Sequence, residues 1–257
     1  MSVLSKIQNI TSSKGFKKYF SNTFWLMGEK FFRLGIAMAV SIYVARFLEP
    51  VNFGLLNYAK GFVGLFTAFA TLGLDKIAVR DLVRDPSKEN EITGTAYWLK
   101  VMGFGAMMLA IMVSVNFTSN DSFTNTLILI IGSAELFRSF RVIDFVYRSQ
   151  VRAKVIARVQ MVQIVVSSLL KLYLIYIQAD LIWFAYIVVF DAIFTASGLI
   201  LSYTLDNKSI FKWKFSRKTA LELVYEAWPL TLYGLALFVQ AKIDQVMIKE
   251  MMGEQGN

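Results

Sequence analysis

The sequence predicts an all-α, multi-pass helical membrane protein, and three observations carry that prediction. Hydrophobic residues make up 56% of the 257 residues and charged residues 18%, against about 25% charged in an average soluble domain. The apolar residues fall in runs close to the roughly 20 residues with which an α-helix crosses a bilayer. The basic residues, which give a net charge of +9, collect between alternate runs and leave the other connections without a cation.

Residues 1–23 form a basic arm with Lys6, Lys14, Lys17 and Lys18. The first span, Phe24–Phe47, is too long and too charged for the apolar region of a signal peptide, and no small-residue cleavage site follows it. Pro50 and Gly54 punctuate the turn into the second span, Phe53–Leu74. Residues 75–94 read as a charged helix or elbow, because Asp75, Lys76, Arg80, Asp81, Arg84 and Asp85 recur at spacings that suit surface pairs. Pro86 breaks it. The third span is Thr95–Val115. The fourth, Leu127–Tyr147, is interrupted by Glu135, Arg138, Arg141 and Asp144. Val159–Ile177 and Leu181–Tyr203 are the fifth and sixth. A basic connection, 206–227, leads to a more polar seventh span, Trp228–Ile248, with Pro229 near its start, where a helix tolerates proline.

The charges orient this series. Eighteen cations lie in the N-terminal arm and three alternate connections: the four lysines above, then Lys76, Arg80, Arg84 and Lys88, then Arg141, Arg148, Arg152, Lys154 and Arg158, then Lys208, Lys212, Lys214, Arg217 and Lys218. The intervening connections 48–52, 117–125 and 178–180 hold none, and their charges are Glu49, Asp121 and Asp180. Cytoplasmic loops collect lysine and arginine. The N-terminus is therefore expected in the cytoplasm and the C-terminus, after an odd number of spans, outside. The alternation also requires the fourth span. Each basic cluster flanks a span, so its expected role is topology and contact with lipid headgroups, not nucleic-acid binding.

Several chemistries are excluded. The chain has no cysteine and no histidine, which removes disulfides, thiolate nucleophiles, the usual zinc sites and imidazole bases. It carries no nucleophile elbow, P-loop or dinucleotide fingerprint. No enzyme activity, cofactor or metal is expected.

Ionisable residues at membrane depth are costly and mark functional sites by default. Glu29 and Arg33 share a helix face and can pair, with Lys30 beside them. Lys60 lies about two turns into the second span, Lys171 in the fifth, Asp191 in the sixth, and Lys242 and Asp244 in the seventh. Lys30, Arg33, Lys60, Lys171 and Lys242 are the candidates to line a cationic cavity for an anionic headgroup, since a phosphate in low dielectric needs charge-assisted partners. Glu29, Asp191 and Asp244 are the candidate charge partners or ion carriers. The set Glu135, Arg138, Arg141 and Asp144 forms one stripe that should face a cavity, another helix or the headgroup zone.

Two stretches carry a family resemblance. Tyr43-Val-Ala-Arg-Phe-Leu48, Pro50 and Asn52-Phe-Gly-Leu-Leu-Asn-Tyr58 resemble the first outside turn of Wzx-type polysaccharide flippases, as do Phe62-Val-Gly-Leu-Phe66, Ala70-Thr-Leu-Gly-Leu-Asp75 and Val79-Arg-Asp-Leu82. Asp244-Gln-Val-Met-Ile248 with Met252-Gly-Glu254 is similar to the opening of that family's second half. Glu49 departs from the pattern, standing where the family turn usually has glycine before proline. The family moves O-antigen and teichoic-acid repeat units and belongs to the multidrug/oligosaccharidyl-lipid/polysaccharide exporter superfamily.

The resemblance implies a MATE-like two-lobed transporter, of which residues 24–205 would be the six-helix N-lobe and 228–257 the first helix of an incomplete C-lobe. It further implies flipping of undecaprenyl-pyrophosphate-linked oligosaccharide across the bacterial cell membrane by alternating access, for surface polysaccharide such as the O-antigen of lipopolysaccharide. The implied partners are the lipid-linked oligosaccharide, membrane lipids and a polysaccharide polymerase or chain-length regulator. A chain that stops after one lobe and one helix would be a truncated or split product that does not transport alone. The competing readings are a drug or cation antiporter of the same superfamily, a membrane enzyme such as a polymerase, which the short outside connections disfavour, and a non-transporting scaffold.

Overall fold

The computed structural model describes residues 14–118, 120–229, 232 and 236, and the described residues contain helices and turns but no strand. The helices are α1 Lys14–Thr71, α2 Leu74–Arg84, α3 Glu89–Val115, α4 Ser122–Arg138, α5 Val142–Ser149, α6 Ala153–Tyr176 and α7 Leu181–Leu205. A further helix, α8, occupies residues 217–229. Short 3-10 turns lie at Pro86–Lys88, Ser139–Arg141 and Ile210–Lys212.

Helix α1 is two limbs joined at Glu49, whose backbone (φ 59°, ψ 166°) is not helical. A straight helix would put Ala37 and Thr67 about 45 Å apart at 1.5 Å per residue. Both line one cavity, so the chain doubles back at Glu49-Pro50. Pro50 dictates the extended ψ of the residue before it. The first two expected spans are thus the limbs of this hairpin.

Among the described residues, four helices are long and apolar enough to cross a membrane: Met27–Thr67, Pro86–Val115, Ala153–Tyr176 and Leu181–Leu205. Together they cover the first, second, third, fifth and sixth expected spans. The fourth needs correction. It is a broken helix: α4 has 17 residues and α5 has 8, separated by the turn at Ser139–Arg141. The interruption falls on the charged stretch. In a 3-10 turn, side chains three apart eclipse, which lets residues 135, 138, 141 and 144 keep to one stripe where an α-helix would fan them apart. The seventh expected span lies almost entirely outside the described residues. A helix already runs from residue 217 up to its expected start. Ser216 begins that helix, its Oγ accepting from the Thr219 backbone N–H at 3.3 Å. Pro229 therefore follows a dozen helical residues.

Two apolar cores stack along the bundle. One joins Val40, Val44, Leu48, Leu56 and Val63 of α1 to Met107 and Ile111 of α3, Leu127, Ile128 and Ile131 of α4, and Leu181, Phe184 and Ala185 of α7. The other joins Leu74, Ala78 and Leu82 of α2 to the start of α3, the apolar residues Val142, Ile143, Phe145, Val146 and Tyr147 of α5, Ile156, Leu199, Tyr203, and Ala220, Leu223 and Ala227 of α8. Large apolar side chains such as Met102, Leu109, Leu169 and Leu201 stay exposed on the outside. Apolar surface on that scale marks a lipid-facing wall.

The second core lies at the end where three of the basic connections meet. Lys208 Nζ reaches Glu89 at 2.6 Å. Arg152 grips Asp206 through two hydrogen bonds of 2.8 and 3.0 Å, and Gln150 donates to Glu89. Lys214 N–H donates to the Asn90 carbonyl at 3.0 Å, beside Gly94, where a Cβ would lie 2.7 Å from the Lys214 backbone. The Thr219 hydroxyl donates to Glu91, which this bond holds below the usual glutamate range. The guanidinium of Arg152 does the same for Asp206. Connections that alternate in the sequence are thus bonded to one another at a single end.

Candidate functional site

Between the two cores runs a layer of charge. Its main cavity, of about 460 Å³, is bounded by both limbs of α1 and by α4, α6 and α7. Lys60, Arg138 and Lys171 line it, with the carboxylates Glu135 and Asp191. Lys60 is solvent-accessible through this cavity. Lys171 Nζ stands 3.9 Å from Asp191 Oδ2, which also accepts from Ser167 Oγ at 3.1 Å. Among the described residues, Asp191 Oδ1 and Ser168 Oγ find no hydrogen-bond partner although buried. Ser168 lines the cavity as well, so polar capacity remains for a ligand.

Glu135 is almost fully buried and forms an ion pair with Arg138. The pair sits where the main cavity meets a second, of about 170 Å³, which adds Asp75, Lys100, Arg141, Asp144 and Arg148. Lys100 is buried, 3.2 Å from Asp75 and 4.8 Å above the Phe145 ring. Arg141 pairs with Asp144 at 3.3 Å. A third cavity, of about 540 Å³, shares Arg138, Arg141 and Arg148 with the second and adds Arg33, Gln160 and Gln163.

The sequence candidates fare unequally. Lys60, Lys171 and Asp191 come together in the main cavity. Glu29 and Arg33 pair, at 3.7 Å. Arg33 also donates to Gln160, and it reaches the neighbouring cavity, not the main one. Lys30 is exposed and lines none of these cavities. At 3.6 residues per turn it stands about 60° round the helix from Arg33 and about 100° from Glu29, outside the lining of these three cavities. Lys242 and Asp244 lie outside the described residues.

Two residues carry more of the site than their sequence positions suggest. Arg138 belongs to all three cavities, yet the candidate cationic set omits it because it reads as part of a stripe near a span end. Lys100 receives no weight in the third span. Its signal is available: a lone lysine inside an apolar helix requires a partner, and Asp75 opens the helix just before.

The model of the polysaccharide biosynthesis protein family matches residues 19–255. The chain belongs to that family. No curated protein and no solved structure matches the chain. Membership in the polysaccharide biosynthesis family, whose members are transporters, agrees with the apolar helices: this is a membrane protein with a polysaccharide-related transport role.

Proposed function

We propose that the chain handles an undecaprenyl-pyrophosphate-linked oligosaccharide and contributes to flipping it across the bacterial cell membrane by alternating access. One observation carries the reading: Lys60, Lys171 and Arg138 converge on a cavity within the helix bundle. A diphosphate in low dielectric needs such charge-assisted donors, and the cavity's unpartnered polar atoms suit a sugar. Residues 24–205 would then act as one lobe and 228–257 would begin a second. The bonded basic end would face the cytoplasm, with the N-terminus on that side and the C-terminus outside. A polysaccharide polymerase or chain-length regulator would receive the product.

Asp191 fits an exchange role. Its attraction to Lys171, about 4 kcal/mol at an effective dielectric of about 20 before desolvation, must be overcome by an incoming anion. The anion displaces the carboxylate, which then takes up a proton or sodium ion. A drug or cation exporter would want carboxylates in excess, whereas cations outnumber them here.

Binding to the purified chain in lipid nanodiscs tests this. A short polyprenyl-pyrophosphate disaccharide is expected to bind, and K60Q/K171Q to weaken it by about tenfold or more, the scale of losing one charged hydrogen bond. Lys30→Gln, outside the cavity, is expected to leave binding unchanged. Tighter binding of a lipophilic cation than of the pyrophosphate would overturn the reading in favour of the drug exporter.

A further inference from the structure

The segment after α7 presents apolar side chains that the described protein leaves uncovered. Trp213 turns inward: its Nε1 donates to the Tyr203 hydroxyl at 3.3 Å, and its ring lies 5.3 Å from that of Tyr97. Phe211 and Phe215, two residues to either side, are exposed, and Phe211 at 93% has almost nothing of the described chain against it. Helix α8 continues the pattern. At about 100° per residue its side chains divide into three flanks roughly 120° apart. Ala220, Leu223 and Ala227 form the flank buried in the core. Thr219, Glu222 and Glu226 form a polar flank, on which Thr219 bonds to Glu91 and Glu226 to Arg80. Leu221, Val224, Tyr225 and Trp228 form the third, which is apolar and exposed. The contacts of the first two flanks fix the rotation of α8, so the third cannot turn inward.

Depth and charge together identify what covers it. The segment begins where α7, a helix long enough to cross a membrane, ends at Leu205. Lys214 N–H bonds to Asn90, in the first turn of α3, which is another such helix. The segment therefore lies where two spans leave the apolar layer, the depth at which tryptophan and tyrosine collect. Lys212, Lys214, Arg217 and Lys218 are exposed there, and among the described residues none forms an ion pair. Lys208, earlier in the same segment, is by contrast held by Glu89. Arg217 stands on the apolar flank itself, four residues and so about one turn before Leu221. Free cations around an aromatic surface complement an anionic headgroup layer, with the rings at the acyl boundary and the long side chains reaching up to the phosphates.

We propose that residues 210–228 form a shelf that seats on anionic lipid headgroups at the basic end of the bundle. Phe211, Phe215, Tyr225 and Trp228 enter the acyl boundary, and Lys212, Lys214, Arg217 and Lys218 hold the phosphates. The shelf is independent of what the cavities carry. Because α8 is bonded to α2 through Arg80 and to α3 through Glu91, the shelf makes the seating of this whole end depend on the charge of the lipid beneath it.

The chain has no cysteine, so a nitroxide can be placed at one position at a time in the full chain in nanodiscs. Phe211→Cys and Tyr225→Cys label the shelf, and Glu222→Cys labels the polar flank. All three native side chains are exposed, so the substitutions leave the packing intact. Spin relaxation then compares collision with oxygen, which partitions into lipid, and with a neutral nickel chelate, which stays in water. In mixed phosphatidylglycerol and phosphatidylcholine, oxygen should dominate at positions 211 and 225 and the chelate at 222. In phosphatidylcholine alone the oxygen preference at 211 should fall, since each cation near an anionic surface favours it by about fivefold. K212Q/K214Q/R217Q/K218Q should respond to the two lipid compositions alike. Dominance of the chelate at 211 and 225 would mean a water-facing surface, and low collision with both reagents a cover of protein. An oxygen preference equal with and without phosphatidylglycerol would mean a surface blind to lipid charge. Each of these three results would overturn the proposal.

Discussion

Replacing Glu49 with glycine is expected to stabilise the protein, although it removes a whole side chain. Glu49 has φ 59° and ψ 166°, a region that glycine occupies freely and other residues enter at a cost of about 1–3 kcal/mol. Pro50 keeps ψ extended, so the residue cannot relax into a helix without undoing the hairpin. The side chain is exposed and makes no ion pair among the described residues, so its removal forfeits little. Glycine adds about 0.5–1 kcal/mol of backbone entropy to the unfolded chain. The net gain is then about 1 kcal/mol, equivalent to about 2–4 °C in Tm for a chain of this size. Thermal unfolding in detergent micelles, followed by circular dichroism, measures it. Glu49→Ala keeps the Cβ and should gain nothing. An unchanged or lower Tm for Glu49→Gly, or an equal gain for Glu49→Ala, would refute the strain argument.

Lys100 and Asp75 give an asymmetric pair of substitutions. Asp75→Asn strands a buried ammonium against the Phe145 ring and is expected to cost about 1–3 kcal/mol, reduced from the full cost of a broken buried pair because Asp75 is half exposed. Lys100→Met removes the charge itself and should be close to neutral, and chemical denaturation separates the two. Acid stability reports on Asp206, whose carboxyl Arg152 holds below the usual range. A folded pKa below the unfolded value of about 3.9 means that the pair stabilises the fold above that value and loses its effect as pH falls below it. Arg152→Gln should therefore melt below wild type at neutral pH, with the two curves converging as the pH falls below the usual carboxylate range.

Much of the helical order is legible in the sequence because hydropathy and turn chemistry are local. The bounds Leu181–Tyr203 and Val159–Ile177 fall within a few residues of α7 and most of α6, where continuous apolar runs meet polar ends. The elbow at 75–94 is legible from its charges and Pro86. Where the reading misses, a local signal competed with a distant one. The basic residues of 206–227 suggest a loop, but Ala220, Leu223 and Ala227 pack against the core under α2 and α5, and that buried face makes the segment a helix. The fourth span reads as one helix because topology demands a crossing, yet its i, i+3 charges are served by a 3-10 turn that divides it.

The sequence by itself determined that this is a helical membrane protein, that its connections alternate between basic and cation-free, and that lysines and carboxylates interrupt its apolar runs. Hydropathy, length and charge alternation are properties of the chain in order. Only the tertiary structure decided which charges meet. A helix apolar around most of its girth carries no mark of its rotation, so nothing in the linear order turns Lys60 and Lys171 towards each other, Lys30 away, or Arg138 into three cavities. Packing against neighbours from distant parts of the chain sets those rotations, and it is there that the site is made.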